Sequence, residues 1–271
     1  MTTTINTFLV YLIRVLPGLT VLTMTFLAVR PSRIVRVGLY LLAFVLLRDA
    51  MTPLGLWRFG AYRGIFWIRL SDDPWFLVIF GMAALVISLA ILTLDRGNRG
   101  VVHLFSRGTA AGVAAGVTGA LLVVAPLWWL YRTIPVHLRG GGVTQHLIPA
   151  ILVFALLGNF MEELLFRGYV LGYLQTRRRR QHPRHQSRHQ LRHQRHRRYG
   201  TALITPGVQS GVVFALCHIF LAGTVSDIGV PLLLFALWEG IIAGVVGERY
   251  GVIPATLTHG GAIFLLSSGL V

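Results

Sequence analysis

The sequence has no lysine and a single cysteine, Cys217, among its 271 residues. One thiol excludes an intrachain disulfide, and with it a small scaffold stapled by bridges. Charge of either sign is scarce: 13% of residues are charged, against about 25% in a soluble domain. Hydrophobic residues make up 55%, and the mean hydropathy is +0.69. That balance excludes a soluble globular enzyme and leaves a polytopic membrane protein with no room for a separate soluble domain. Ten of the arginines lie in Arg177–Arg198, so the formal charge of +16 describes one loop and not the whole chain. No basic residue precedes the first apolar run and no A-x-A site follows it, which favours a retained membrane segment over a cleaved signal peptide.

The apolar runs predict an all-α fold, a transmembrane helical bundle of about eight spans, with seven possible. They are Phe8–Val29 (containing Arg14 and Pro17), a second beginning at Val37–Leu47, then Pro74–Leu94, Thr109–Tyr131 and His146–Leu174. Ala202–Ala222, Ile228–Val246 and Gly251–Leu270 complete the set. The end of the second span is ambiguous, because Arg48 and Asp49 arrive early. Between it and the third, Leu56–Leu70 mixes five aromatic residues with Arg58, Arg63 and Arg69, as in an amphipathic segment at headgroup level. Gly240, Gly244 and Gly247 predict close helix packing in the seventh span. The chain divides into N-terminal helices, 1–145, and a helical core, 146–271, interrupted by the basic stretch 177–198. Arginines concentrate in the odd-numbered loops, which the positive-inside rule places in the cytoplasm together with the end of the fifth span. This predicts a multi-pass integral membrane protein whose basic loops are cytoplasmic, together with the end of the fifth span that carries Glu162 and Glu163.

Three tetrapeptides in Arg177–Arg198 share one pattern: Pro183-Arg-His-Gln, Ser187-Arg-His-Gln and Leu191-Arg-His-Gln. So charged a run cannot bury a core, and it predicts a disordered or loosely helical loop that binds anionic lipid. Nucleic acid is not the expected partner, since no aromatic residues are interleaved with the arginines.

Chemistry concentrates at Asn159–Gly168, which ends one of the most apolar runs. Ionised groups at bilayer depth are costly and are kept mostly where they face a cavity. Glu163 and Arg167 stand one turn apart and can neutralise each other. Adjacent Glu162 points about 100° away and has no local partner. His218, near the far end of the sixth span, and His259, near the middle of the eighth, are polar groups that can converge with it. Either alone is as readily a packing histidine bonded to a backbone carbonyl. With an unpaired glutamate they can activate a water toward a peptide carbonyl, imidazole orienting the water or steadying the oxyanion. The alternative is a zinc site of Glu162, His218 and His259 with an open position. The H-E-x-x-H signature of soluble metalloproteases is absent.

Glu162-Glu163-x-x-x-Arg167, then Phe214-x-x-x-His218, then a Gly-rich span leading to His259 resemble the CPBP family of CAAX prenyl endopeptidases and bacteriocin-processing membrane proteases. The approach Glu239-Gly240, Gly244, Arg249-Tyr250-Gly251 and Pro254 to His259 is similar to that family's last block. The likeness covers about Leu147–Leu266. It implies an intramembrane endopeptidase cleaving a hydrophobic or prenylated peptide by glutamate-activated water, with no cofactor. By this resemblance Glu162 and His218 activate the water, His259 sits on the oxyanion side, and Glu163 and Arg167 support the site. The family's third motif carries Asn or Asp four residues after the histidine, where this chain has Ile263. Asn159, one turn before the glutamates, is the candidate substitute donor. Two rivals come from other classes: a non-catalytic chaperone or immunity factor that binds membrane peptide or lipid, and a proton-coupled transporter. No inverted repeat supports the transporter.

Overall fold

Runs of apolar residues become helices because, away from water, only a helix satisfies its own backbone polar groups. The computed structural model describes residues 2–181 and 204–271. Its first helices are α1 (Thr2–Val29) and α2 (Arg33–Asp49), then α3 (Pro74–Leu94), a short α4 (Arg96–Arg99) and α5 (Thr109–Tyr131). Helix α6 (Ile148–Glu163) widens into a π-helical stretch, Leu164–Val170, and continues as α7 (Leu171–Gln181). After the undescribed residues come α8 (Pro206–Leu216), a π-helical turn at Leu221–Val225, α9 (Val230–Tyr250) and α10 (Val252–Ser267). Six described helices are long and apolar enough to cross a membrane, and α10 is apolar but shorter. The remaining expected span is α2, 17 residues long and charged at both ends. The molecule is a polytopic helical membrane bundle. Most of the basic stretch 177–198 lies outside the described residues; Arg177–Arg180 are exposed on α7.

Leu56–Leu70, expected as an amphipathic segment and not a span, has strand structure. It forms an antiparallel hairpin, β1 (Trp57–Tyr62) with β2 (Ile65–Leu70), in register Trp57↔Leu70 through Tyr62↔Ile65. Arg63 and Gly64 make the two-residue turn, both with positive φ (49° and 78°), as the right-handed twist of paired strands prefers. Phe66, Ile68 and Leu70 alternate along β2 and are buried. Arg69, on the other face, is also buried: its guanidinium donates to the carbonyls of Leu266 (2.5 Å) and Gly141 (3.1 Å). The hairpin is thereby fastened to the C-terminal end of α10 and the loop before α6. Tyr131 at the end of α5 adds a hydrogen bond to the Phe66 carbonyl, 2.6 Å.

Helix α6 runs through the middle, packed against α3 on one side and α10 on the other, while α10 also lies along α5 and α9 along α8. Glycine sets the closest of these approaches. A Cβ on Gly244 would stand 2.1 Å from the Gly207 carbonyl oxygen, so α8 and α9 touch backbone to backbone. At Gly260, beside His259, a Cβ would stand 2.5 Å from the Ala155 carbonyl oxygen, which lets α10 reach α6. The end away from the hairpin is stitched by polar bonds around Asp95. It pairs with Arg36 at 2.8 Å and accepts from Tyr40 at 3.0 Å and Asn98 at 2.6 Å. Tyr173 of α7 donates to Asn98 in turn.

Candidate active site

A cavity of about 320 Å³ lies under the hairpin. Its walls are mostly apolar, from Tyr11 and Phe80 on one side to Phe66 and Phe235 on the other. Six polar residues reach it: Arg48, Asn159, Glu162, His218, Glu239 and His259. The three residues singled out for chemistry, Glu162, His218 and His259, therefore share one chamber, although they come from three separated helical segments.

The two glutamates face different surroundings, as the 100° step between helix neighbours requires. Glu162 lines the cavity, is buried, and has an Oε2 with no hydrogen-bond partner among the described residues. Glu163 turns away from the cavity. Its Oε1 accepts from Arg167 Nη1 at 2.7 Å and from His259 Nδ1 at 2.9 Å. Arg167 also donates to the Gly240 carbonyl at 2.9 Å, tying α9 to the π-helical stretch after α6. Such wide turns recur at functional sites because they swing side chains out of α-helical register. The opposite ring nitrogen of His259 faces Glu239 Oε2 at 3.5 Å. With a carboxylate oxygen beside each nitrogen, the ring can donate to both only as imidazolium.

His218 lies where α8 ends, in a turn that frees carbonyl groups from the helix ladder. Its Nδ1 donates to one of them, Phe214 O, at 2.8 Å. That bond leaves Nε2 as the acceptor, and Arg48 Nη1 fills it at 3.0 Å. The Arg48 Nη2 donates to the Cys217 carbonyl at 2.8 Å, and its Nε to Asp49 at 2.7 Å. In this arrangement His218 holds a cation in the chamber and has no lone pair left for a shared water. Phe214 packs between the histidines, its ring centroid 4.4 Å from His218 and 5.3 Å from His259, with the Arg167 guanidinium 4.6 Å from the ring.

A metal fits this arrangement poorly. Nitrogen ligands must offer a lone pair, and that of His218 points at a guanidinium. Among the described residues no group of three His, Cys, Asp or Glu side chains is placed to hold an ion. Asn159 borders the cavity and donates to Ala155 O of its own helix at 2.7 Å, leaving its second amide hydrogen. Ile263 lines the cavity as well.

Sequence reasoning gave no role to Arg48 or Glu239. Arg48 stands at the end of an apolar run, where an arginine that turns inward looks like one that reaches out to water. Glu239 left a clearer sign, a carboxylate in the middle of an apolar span.

No curated protein and no solved structure matches the chain. A family match exists over residues 144–265, described as type II CAAX prenyl endopeptidase Rce1-like. The matched stretch contains Glu162, Glu163, Arg167, His218, Glu239 and His259, so it supplies every polar group of the chamber floor except Arg48. Over residues 144–265 the chain therefore carries an Rce1-like domain of the CAAX prenyl endopeptidase (CPBP) family.

Proposed function

We propose that the protein is an intramembrane endopeptidase in which Glu162 activates the attacking water. The observation that carries this reading is the buried Glu162 carboxylate, with one oxygen uncommitted, in an apolar chamber shared with cationic donors. The carboxylate takes a proton from water as the oxygen bonds to the scissile carbonyl carbon. Negative charge then develops on the carbonyl oxygen. The tetrahedral species collapses with cleavage of the C–N bond, and Glu162 returns the proton to the departing amine. Arg48 and the spare amide hydrogen of Asn159 are the donors available to the oxyanion, in the position left by Ile263. His218 acts through Arg48, fixing where the guanidinium stands. His259 belongs to the Glu163–Arg167–Glu239 network, which keeps α6, α9 and α10 in register around the chamber. The apolar walls suit a hydrophobic or prenylated peptide, the substrate class that the family implies.

The test is cleavage of a lipidated or membrane-embedded reporter peptide in detergent. Glu162→Gln keeps shape and removes the base, and is expected to abolish cleavage while the protein stays folded. Cleavage at the wild-type rate by Glu162→Gln overturns the assignment.

A second reading, capture of a membrane peptide without cleavage, is favoured by Ile263 alone. Isoleucine on the chamber wall neither donates nor holds a water. Losing one oxyanion donor lowers rates by roughly 10²–10³. On the enzymatic reading Ile263→Asn raises cleavage and Asn159→Ala lowers it. Reporter binding with no cleavage by either wild type or Ile263→Asn would favour capture.

A further inference from the structure

The chamber is displaced toward the hairpin end of the bundle, as α1, α2, α9 and α10 show, while on α3 its lining residues, Phe80–Ile87, lie at mid-helix. On α1 the lining residues stop at Leu19, and on α2 they begin at Phe44. On α9 they run from Leu232 to Glu239, ending a full three turns before the helix does. On α10 they are His259 and Ile263, toward the end fastened to the hairpin. The roof is the hairpin itself, through Trp57, Phe59, Phe66 and Ile68.

The other half holds a separate, polar cavity of about 330 Å³, bordered by Arg167, Leu171, Arg179 and Gly247, which shares no lining residue with the chamber. Leu164, Leu165, Phe166 and Tyr169 are fully buried directly beyond Glu162. Ser210 of α8 closes on the Phe166 carbonyl at 2.8 Å. Further out, Gly172 lies so near the Val101 carbonyl that a Cβ would stand 2.3 Å from its oxygen. The layer at Leu164–Phe166 thus divides the two cavities, and a peptide at the far end has no open path through it to Glu162.

Charge assigns the two ends. Arg48, Arg69 and Arg139 belong to the hairpin end in sequence, but all three are buried and bonded within the protein. Arg139, for example, donates to the Val271 carbonyl at 2.6 Å. Three others remain exposed there: Arg58, paired with Asp72 at 3.3 Å, Arg63 at the hairpin tip and Arg132. At the far end Arg30, Arg33, Arg96, Arg99, Arg107, Arg177–Arg180 and Arg249 are exposed. Removing the buried arginines from the count steepens the asymmetry that places the far end in the cytoplasm.

We infer that the chamber receives its substrate from the non-cytoplasmic side, as a peptide whose scissile segment lies at the outer leaflet and whose apolar part fills the space under the hairpin. This reverses the cytoplasmic active-site end expected from the loops alone, and its cleavage arm rests on the proposed endopeptidase activity. Access is tested by thiol labelling in full-length protein carrying Cys217→Ser. Gly158→Cys places a thiol on the chamber wall one turn before Glu162, where the atoms nearest a Cβ are those of the Phe154 ring, at 3.4 Å. Arg63→Cys marks the hairpin tip and Arg179→Cys the arginine-rich end. A charged, membrane-impermeant maleimide added to intact cells is expected to label Arg63→Cys and Gly158→Cys but not Arg179→Cys, which labels only in inverted vesicles. Labelling of Gly158→Cys only from the side that labels Arg179→Cys overturns the inference. In parallel, one apolar reporter segment carries its cleavable sequence at either its outer or its inner end. Cleavage of the outer form supports the inference, and cleavage of the inner form alone overturns it. Outside labelling of Gly158→Cys with neither reporter cut would uphold the access route and count against the protease reading.

Discussion

At the scale of single residues, the site rests on how its charges are committed. Glu163 is shared by Arg167 and His259, both buried, so Glu163→Gln should act on stability first. Removing one partner of a buried ion pair costs about 3–5 kcal/mol. Thermal unfolding in detergent should show that loss for Glu163→Gln and little of it for Glu162→Gln. Arg48 calls for a different design, since Arg48→Met would strand the buried Asp49 and confuse folding with chemistry. The double substitution Arg48→Met with Asp49→Asn removes both charges together, and stability should largely return. If Arg48 serves the oxyanion, cleavage stays depressed by roughly 10²–10³ in that double variant. Arg48→Lys should recover little, because a point charge cannot span His218, Cys217 O and Asp49 as a guanidinium does. Wild-type cleavage by the double variant would remove Arg48 from the mechanism. Glu162, His218 and His259 were legible in the sequence because each interrupts an apolar run. Arg48 was not, because its partners stand 169 and 170 residues away and only the fold brings them near.

At the scale of elements, two spans, Pro74–Leu94 and Thr109–Tyr131, were legible to the residue and the others to within several residues at their ends, because long uncharged runs have few alternatives. The hairpin was not. Its arginines alternate with aromatics in a way that suits a headgroup layer equally well. The burial of Arg69 depends on carbonyls supplied by Gly141 and Leu266. The Arg63-Gly64 turn was the one local hint of paired strands. The glycine contacts between α8 and α9 carry a prediction of their own. A Cβ on Gly240 would stand 2.8 Å from the Gly211 carbonyl oxygen, and the Gly240 carbonyl is what Arg167 holds. Gly240→Val should separate the two helices and pull that carbonyl from the guanidinium. Overpacking of this kind costs about 1–3 kcal/mol. Gly223, where a Cβ meets nothing within 4 Å, is the control: Gly223→Ala should leave the unfolding temperature unchanged. Equal stability of Gly240→Val and wild type would mean that the helices have room to separate.

At the scale of the whole molecule, the stretch that matches the family and the chamber that would do the work are not the same object. The match begins at residue 144, yet the roof comes from β1 and β2, one wall from Tyr11 and Phe80, and a cation from Arg48. Division into an N-terminal helical region and a catalytic core at about residue 145 thus describes the chain's family likeness better than its function. Helices in a bilayer insert separately and associate afterwards through packing and polar contacts. The two parts can therefore be made as separate chains, 1–143 and 144–271, and allowed to meet in one membrane. The second part alone keeps Glu162 and His259 but loses the roof and the donor that His218 holds. It also loses α3, which lies along α6, and α5, which lies along α10. It should show no reporter cleavage, whereas both parts expressed together should restore a measurable fraction of it. Restoration should vanish when the first part carries Arg48→Met with Asp49→Asn, because the rest of the packing surface is then intact and only the donor is missing. Cleavage by 144–271 alone at the full-length rate would show that the chemistry needs neither the hairpin nor Arg48, and the chamber would then be no more than a space beside the site.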